Sequence, residues 1–243
     1  MSDIVKCIDC SHHQGDIDFD QVAEAGVIAM IHKATEGSSF VDDKCAANFA
    51  AATDAGIACC TYHWLSPGGT AKEQIEHYLD TTNPVPGERM VIDYEQDGCT
   101  LDDLHQAIER LLDDPRELQI TVYSGHLLKQ QLNGSLDALL AEHTDLWLAQ
   151  YTEGTPTWPT GTFEQWTLWQ YSESGTLPGI DDAKVDLNRF NGSDDDLVKW
   201  ISPCSGRPEP VVRAAVSVAI ETDGNVEVLI TVNGRLIGRS AAA

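Results

Sequence analysis

The sequence is poor in basic residues. It contains 15 lysine and arginine residues against 39 aspartate and glutamate residues, a formal net charge of −24. This excess of negative charge disfavours binding to nucleic acid and to anionic membrane surfaces, so we expect neither as a partner. No run of about 18 consecutive apolar residues occurs, so the sequence predicts no insertion into a membrane.

The sequence also lacks the features of a secreted, disulfide-bonded protein. Residues 1–6 contain no signal peptide, and the seven cysteines are odd in number and follow no framework spacing. We therefore predict reduced, mostly buried thiols in a chain made in a cytoplasm. Any role outside that cell would require another means of release.

Metal-binding motifs are missing as well. Cys7-x-x-Cys10 has no second pair to complete a zinc site, and neither H-E-x-x-H nor H-x-H occurs. His12, His13, His32 and His63 stand near predicted strand ends, but ordinary buried or surface histidines explain them more simply. We expect no metal and no other cofactor.

Short apolar runs alternate with helical patterns along most of the 243 residues, 42% of which are hydrophobic. Strands are predicted at residues 4–11, 27–34, 57–65, 89–95, 118–124, 145–151, 167–172 and 184–190. Helices are predicted at residues 18–26, 43–55, 70–81, 100–112 and 126–132. The alternation predicts an α/β fold, an irregular (β/α)8-type barrel with helices missing in its last third.

The most informative stretch is the apolar run from Met90 to Glu95, which ends in two carboxylates two positions apart. In a strand this spacing places Asp93 and Glu95 on one face, roughly 7 Å apart along the chain. Neighbouring acids push their pKa values apart, so one can hold a proton while the other stays charged, as glycosidases require. Pairing of these acids with Lys33 or Arg189 is the structural alternative.

Polar and aromatic residues follow nearly every predicted strand. Because a barrel collects the carboxyl ends of its strands at one rim, we expect these side chains to converge there. Tyrosine and tryptophan offer flat apolar faces with a polar group, which suits contact with sugar rings. For each aromatic residue, packing in the core is the alternative.

The segment from Asp9 to Phe19 (DCSHHQGDIDF) resembles the opening signature of the glycoside hydrolase family 25 lysozymes, the Chalaropsis-type N-acetylmuramidases. The resemblance extends over residues 4 to about 192. It continues in order through IHKATEG at 31–37, YH at 62–63, DYE at 93–95, LWLAQY at 146–151, WQY at 169–171 and VDLN at 185–188. It implies an irregular barrel that hydrolyses the β-1,4 bond between N-acetylmuramic acid and N-acetylglucosamine in peptidoglycan.

The resemblance also implies the roles of individual residues. Glu95 would be the general acid, and Asp93, Asp9 and Asp186 the other carboxylates of the pocket. Asp93 would then orient the substrate's acetamido group, whose oxygen attacks the anomeric carbon, although a conventional nucleophile or base stays an alternative. The remaining candidates for substrate contact are Lys33, Tyr62, Trp64, Tyr123, Gln150, Tyr151 and Trp169. Lys33 would pair with a pocket carboxylate or with a substrate carboxylate.

The C-terminal part has a different composition. Residues 203–210 are typical of a linker, and residues 211–243 contain alternating runs separated by Asp223-Gly224 and Asn233-Gly234, which predict a β meander. Arg207, Arg213, Arg235 and Arg239 balance Glu209, Glu221, Asp223 and Glu227, so residues 1–202 carry the excess charge. A meander of this size needs a partner: the barrel, another copy or another protein.

We thus predict a muramidase barrel at 1–202 and an assembly or packing module at 211–243. The enzyme would reach the cell wall after release from a host cytoplasm, as an endolysin does, or as part of a phage particle. No known wall-binding repeat follows the barrel. The alternative function is a non-catalytic glycan-binding or structural component of a phage particle.

Overall fold

The computed structural model describes residues 5–152, 154–158, 161–203, 215–220, 226–232 and 235–241. The chain divides into two units, Met1–Glu209 and Pro210–Ala243. Apart from Pro203, the predicted linker at 203–210 lies outside the described residues, as do the predicted turns at Asp223-Gly224 and Asn233-Gly234.

One nine-stranded sheet forms the centre of the first unit. Its strands are β1 (Cys7–Cys10), β2 (Ala29–Glu36), β3 (Phe40–Val41), β4 (Ala58–Trp64), β5 (Arg89–Asp93), β6 (Gln119–Ser124), β7 (Thr144–Ala149), β8 (Leu168–Leu177) and β9 (Ile180–Phe190). Their order is β1-β9-β8-β7-β6-β5-β4-β2-β3, and β1 also pairs with β2. This extra pairing closes eight strands into a barrel, with β3 added outside it. The predicted barrel is confirmed.

Helices surround this barrel on one part of its circumference. They are α1 (Phe19–Glu24), α2 (Cys45–Asp54), α3 (Ala71–Thr82), α4 (Leu101–Leu112), α5 (His126–Leu132), α6 (Ala138–His143) and α7 (Asp194–Ile201). Thr70 and Thr100 cap α3 and α4 through reciprocal capping boxes with Glu73 and Asp103, which explains why the sequence located both helices closely. In the described parts of the segments between β7 and β8 and between β8 and β9 there is no helix, as predicted for the last third.

The structure differs from the sequence-based prediction in the last two barrel strands. Both are longer than predicted, and β9 runs antiparallel to β8 and to β1, whereas the other barrel pairs are parallel. Only Pro178 and Gly179 connect β8 to β9, and a two-residue connection permits only an antiparallel hairpin. Gly179 has a φ of 88°, a conformation that favours glycine at this turn.

Four short elements were missing from the prediction: β3, α6, α7 and a 3-10 helix at His12–Gln14. Two of them carry a start signal that the sequence already contains. Asp137 caps α6, and Ser193 forms a capping box with Asp196 at the start of α7.

Helix α7 closes the amino-terminal end of the barrel. Leu197, Val198 and Ile201 of this helix pack in the cluster that fills the barrel interior, which also includes Val91 and Trp147. Buried Arg89, the first residue of β5, donates hydrogen bonds to the Trp200 backbone oxygen at 2.5 Å and to Asp145 at 2.8 Å. One end of the interior is thus filled, and the carboxyl ends of the strands remain for a site.

The second unit contains a three-stranded antiparallel sheet of β10 (Ala215–Ile220), β11 (Val226–Val232) and β12 (Arg235–Ala241). The register between β11 and β12 shifts at Ile230 and Thr231. These three strands confirm the predicted meander. Within the described residues, no helix is long and apolar enough to cross a bilayer.

Candidate active site

A pocket of about 340 Å³ opens at the carboxyl ends of the barrel strands. It is lined by Asp9, Cys10, Ser11, His13, Gln14, Lys33, Tyr62, Trp64, Asp93, Glu95, Tyr123, Trp147, Tyr151, Gln170, Glu173 and Asp186. Five of these residues are acidic, and Lys33 is the only lysine or arginine among the described residues of the lining. The pocket therefore has a strongly negative interior.

Strand β5 places Asp93 at the floor of this pocket. Val91 packs in the barrel interior, whereas Ile92 and Tyr94 pack in the outer core against the helices, as the alternation of a strand requires. Asp93 is the last residue of β5, and Glu95 follows just beyond the end of the strand, where it is exposed. Both carboxylates thus line one pocket, one buried and one at the rim.

Asp93 is a buried acid at the end of β5. Its side chain lines the pocket, the residue is 5% exposed, and its Oδ1 atom has no hydrogen-bond partner among the described residues. Burial raises the pKa of Asp93 well above its ordinary value, the charge of Glu95 raises it further, and Lys33 acts in the opposite direction. A buried carboxylate oxygen without a protein donor is suited to accept a hydrogen bond from a ligand.

The contacts of the described residues show no ion pair of Asp93 or Glu95 with Lys33 or Arg189. Lys33 forms its 2.6 Å ion pair with Glu36, and its ammonium group lies 4.9 Å from the Trp64 ring centre. The Arg189 guanidinium lies over the rings of Tyr171 and Trp169 instead. Lys33 is 7% exposed and lines the pocket, where it contributes a positive charge. Its ion-pair partner is Glu36.

Glu95 has a raised pKa for a different combination of reasons. Desolvation is the largest cause, followed by the negative charges of Asp186 and Glu173, while Lys33 lowers the pKa. A glutamic acid whose pKa is raised keeps its proton to higher pH and can donate it to a leaving group. Glu95 thus has the electrostatic environment of a general acid.

Asp9 and Asp186 form a second carboxylate pair on the opposite side of the pocket. They face each other across the antiparallel strands β1 and β9. Burial and the charge of Asp186 raise the pKa of Asp9, and burial raises that of Asp186. Asn188 donates to Asp9 at 2.7 Å, and Trp147 in turn donates to Asn188 at 2.7 Å. Burial beside another acid thus favours the neutral form of Asp9.

Gln170 connects this pair to the tyrosines of the pocket. Its Nε2 atom donates to both Asp9 oxygens at 3.0 and 3.1 Å and to Asp186 at 3.4 Å. Its Oε1 atom accepts from the hydroxyls of Tyr123 at 2.8 Å and Tyr151 at 2.9 Å. Burial raises the pKa of both phenols, so they stay neutral donors and fix the orientation of the amide.

Most of the residues predicted from the sequence lie in this pocket. Asp9, Lys33, Tyr62, Trp64, Asp93, Glu95, Tyr123, Tyr151 and Asp186 all belong to its lining. Two predicted residues, Gln150 and Trp169, do not. The Gln150 side chain accepts from Lys129 at 2.6 Å, and Trp169 is buried in the outer core and donates to the Gln150 backbone oxygen.

Side chains alternate between the two faces of a strand, and this explains why Gln150 and Trp169 do not line the pocket. Along β7 and its continuation, Trp147 and Tyr151 face the pocket, so Gln150 has the opposite parity. Gln170 lines the pocket and its neighbour Trp169 therefore points outward. Gln170 and Trp169 stand at the same predicted strand end, and only the register of the folded strand distinguishes which of them faces the pocket.

Other lining residues were not predicted at all. Glu173 lies in the part of β8 that extends beyond the predicted strand, so no pattern placed it near the rim. Ser11, His13 and Gln14 belong to the 3-10 helix and its cap, and Ser11 forms a capping box with Gln14. In the described part of the chain, no group of three or more His, Cys, Asp and Glu side chains could hold a metal ion.

Comparison with known proteins places this geometry in a family. Residues 8–180 match the model of the glycosyl hydrolases family 25. Lysozyme M1 of Streptomyces globisporus is 30% identical over 210 residues, covering 78% of this chain and 68% of that protein. The autolytic lysozyme of Clostridium acetobutylicum is 29% identical, and the match spans 56% of its length. The crystal structure of a lysozyme from Streptomyces coelicolor superposes with a TM-score of 0.72 at 27% identity, covering 83% of this chain and 98% of that one.

Proposed function

The chain belongs to glycosyl hydrolase family 25, and we propose that it is a lysozyme that cleaves the β-1,4 bond between N-acetylmuramic acid and N-acetylglucosamine in peptidoglycan. The observation that carries the proposal is the pair of acids at the end of β5. Asp93 is buried with an unpartnered oxygen, and burial and neighbouring negative charges raise the pKa of Glu95 at the rim of the same pocket. The sugar-contacting faces would come from Tyr62, Trp64, Tyr123 and Tyr151.

In the first step, Glu95 donates its proton to the glycosidic oxygen as the bond from that oxygen to the anomeric carbon breaks. The carbonyl oxygen of the 2-acetamido group attacks the anomeric carbon from within the sugar and forms an oxazolinium ion. Asp93 accepts a hydrogen bond from the acetamido N–H through its unpartnered Oδ1 atom, and its charge stabilises the positive ring. Having given up its proton, Glu95 is left as a carboxylate.

In the second step, Glu95 acts as the base. It removes a proton from a water molecule that attacks the anomeric carbon, and the oxazolinium ring reopens to the acetamido group. The route therefore gives net retention of configuration. A substrate with a trifluoroacetamido group, whose carbonyl oxygen is a weaker nucleophile, should react far more slowly if this route is used.

The decisive experiment measures new reducing ends released from purified peptidoglycan, with the sugar at each new end identified by mass spectrometry after borohydride reduction. Intact protein should yield reduced muramic acid ends. Glu95→Gln should lose about 10²–10⁴-fold in rate because the amide cannot donate the proton. Asp97→Asn removes an exposed carboxylate outside the pocket and serves as the matched control. A folded wild-type protein that releases no ends would favour the non-catalytic, glycan-binding alternative.

We also propose that the second unit is an assembly module whose apolar face is covered by that of a second copy. Val216, Val218 and Ile220 pair with Ile230, Val228 and Val226, so these six residues share one face of the sheet. The neighbouring register positions, including Ser217 opposite Leu229 and Ala219 opposite Glu227, share the other face. Strands β10 and β11 thus contribute six valine and isoleucine residues to this face, and such an apolar pair of strands in a small sheet needs a covering surface.

Charge balance favours a second copy as that surface. Arg213, Arg235 and Arg239 balance Glu221, Asp223 and Glu227 in residues 210–243, so the net charge of −24 belongs to the first unit. Two first units repel each other, whereas two neutral sheets can meet face to face. Light scattering should find a dimer for the full chain and for Ser217→Lys but a monomer for Val218→Lys. A monomeric full chain at micromolar concentration would overturn this proposal and favour a different partner, such as a protein of a phage particle.

The site of action follows from the proposed substrate. We propose that the enzyme acts on the cell wall, either after release from a host cytoplasm or as part of a particle. The relatives with lysozyme in their names support the wall as its target.

A further inference from the structure

Strand β8 departs from regular pairing with β9 at the rim of the catalytic pocket. Two consecutive pairs of this ladder are separated by two residues in β8 but by one in β9: Ser172 with Leu187, and Gly175 with Val185. The extra residue forms a β-bulge, in which Glu173 and Ser174 lie opposite Asp186. Bulges redirect the side chains of the strand that contains them. Here Glu173 lines the pocket together with Asp186.

Local contacts hold this bulge in place. The Ser172 hydroxyl accepts a hydrogen bond from the Ser174 backbone N–H at 3.2 Å, and the two hydroxyl oxygens lie 3.3 Å apart. At Gly175, the next residue, a Cβ atom would lie 2.7 Å from the Val185 backbone oxygen, so only glycine fits. The position of Glu173 is therefore fixed by its neighbours in the hairpin.

Glu173 is an exposed carboxylate beside the proposed general acid. Within the described part of the chain, its side chain forms no ion pair and no hydrogen bond. Burial is the main cause of the raised pKa values of Glu95, Asp186 and Tyr151, and the negative charge of Glu173 raises each of them further. Glu173 thus lies close enough to these three groups to interact with whatever sugar contacts them.

The charges of the described pocket lining favour a cationic ligand. The lining contains five carboxylates and Lys33, whose ammonium group already forms a 2.6 Å ion pair with Glu36. Asp93 is 5% exposed, and its Oδ1 atom has no hydrogen-bond partner among the described residues. A positive group that entered this pocket would be attracted by the acids and would favour their charged forms.

The chemistry of the proposed reaction indicates which sugar can carry that positive group. The acetamido group of the muramic acid residue attacks the anomeric carbon, so this sugar must keep its acetyl group. The leaving sugar is the glucosamine residue, whose oxygen receives the proton of Glu95. Its own acetamido group takes no part in the reaction, and loss of the acetyl group leaves an ammonium group. The leaving sugar therefore lies next to Glu95 and within reach of Glu173.

We propose that Glu173 is a specificity-determining residue that, together with Asp186, binds the ammonium group of a de-N-acetylated glucosamine residue on the leaving side of the scissile bond. This inference rests on the proposed function. The enzyme would then cleave partly de-N-acetylated peptidoglycan in preference to the fully acetylated polymer. An acetylated sugar would still bind through the other pocket residues, but it would gain no charged contact with Glu173.

The test uses two forms of one substrate. Purified peptidoglycan is first fully N-acetylated with acetic anhydride, and half of it is then treated with a glucosamine-specific peptidoglycan deacetylase. The two forms differ only in the sugar amine. For wild type at low ionic strength, and at a pH at which this amine is protonated, kcat/KM should be about three- to tenfold higher on the amine form. Added salt should reduce this ratio because it screens exposed charges.

Variants assign the preference to one residue. Glu173→Gln should bring the ratio of the two kcat/KM values to about one, since the amide carries no charge. The ratio is the readout because the same acid, Glu95, serves both forms, so an influence of Glu173 on that acid cancels. Glu109→Gln removes an exposed glutamate of α4 outside the pocket and should retain the wild-type ratio.

A wild-type ratio of about one or less overturns the role of Glu173. An equal ratio in wild type and Glu173→Gln, or an equal loss in Glu109→Gln, overturns it as well. In these cases the substrate is still cleaved, and the proposed function stands. If wild type cleaves neither form, the proposed function itself fails. Sedimentation with the two forms then decides the role of Glu173: tighter binding of wild type to the amine form, lost in Glu173→Gln, supports it, and any other pattern overturns it.

Discussion

Carboxylates occupy two contrasting environments in this protein. In the helical shell, Glu76 accepts two hydrogen bonds from the Arg110 guanidinium. Asp114 accepts two from the Arg116 guanidinium and one from the Arg116 backbone N–H, which lowers the pKa of Asp114 to about 2. In the catalytic pocket, burial and neighbouring negative charges raise the pKa of Asp93 instead. The residue type is the same, and the difference is whether a cation accompanies the burial.

This contrast separates acids that stabilise the fold from acids that serve a reaction. A paired carboxylate in the shell gains a hydrogen-bonded cation in the folded state and has the lower pKa. An acid buried beside other acids destabilises the folded state at neutral pH, and it is retained where the chemistry needs it. The comparison predicts opposite effects for matched substitutions in the two regions.

The largest effect is expected for Asp93→Asn. The rate of glycan cleavage should fall about 10²–10³-fold, because an amide cannot stabilise the developing positive charge. Asp114→Asn, in the shell, should leave the rate unchanged. Reducing-end assays on both variants provide the measurement.

The stability of the same two variants should change in opposite directions. The pKa of Asp93 is raised in the folded state, so wild-type stability falls as the pH rises from about 4, the unfolded value, through the folded value. Asp93→Asn has no ionisable group at this position, so its stability does not fall in this way. The variant should unfold at a higher temperature than wild type at pH 7. Asp114→Asn should unfold at a lower temperature. A lower midpoint for Asp93→Asn would contradict the proposed contrast.

A second comparison uses two glutamines that each accept a hydrogen bond from a tyrosine. Gln170 accepts from Tyr123 in the pocket, and Gln131 accepts from Tyr94 in the shell. Gln170→Leu should lower kcat/KM about 10–100-fold, because Asp9 and the phenols lose their shared partner. Gln131→Leu should cost about 1–3 kcal/mol of stability and leave activity unchanged. Equal activity losses in both variants would show that the Gln170 network has no special role.

A smaller effect concerns the pH profile. Glu95 must be protonated to act, so kcat/KM should fall as the pH rises through its raised pKa. The groups around it are the acids Asp93, Asp186 and Glu173, the cation Lys33, and the phenols Tyr123 and Tyr151. Removing one negative charge with Glu173→Gln should lower the pKa of Glu95 and move the alkaline limb to lower pH. An unchanged limb would mean that Glu173 does not influence the acid.

The smallest effect is expected for Arg116→Gln in the shell. The Arg116 side chain is 25% exposed, so its pair with Asp114 should contribute no more than about 1 kcal/mol at pH 7. Because the folded pKa of Asp114 is depressed to about 2, the contribution is complete above about 4 and is lost as the pH falls toward 2. Denaturant curves of wild type and variant should therefore converge at acidic pH.

The sequence predicted the barrel and much of its rim because both depend on local patterns. The period of two along β5 puts Val91 and Asp93 on one face and Ile92 and Tyr94 on the other, and the packing follows that division. Capping residues fixed the starts of α3 and α4. The Pro178-Gly179 turn is also local, and a connection of two residues permits only an antiparallel pairing of β8 with β9.

Tertiary structure alone decided which side chains share charge and protons. Asn188 and Asp9 are 179 positions apart, and they meet only because β1 closes the barrel against β9. The same closure sets the parity that turns Gln170 inward and Trp169 outward. The sequence by itself determined the strands and the residue types at their ends, since these follow from period and local chemistry. Burial, pairing and hence the pKa of each acid depend on distant neighbours, which only the closed barrel brings together.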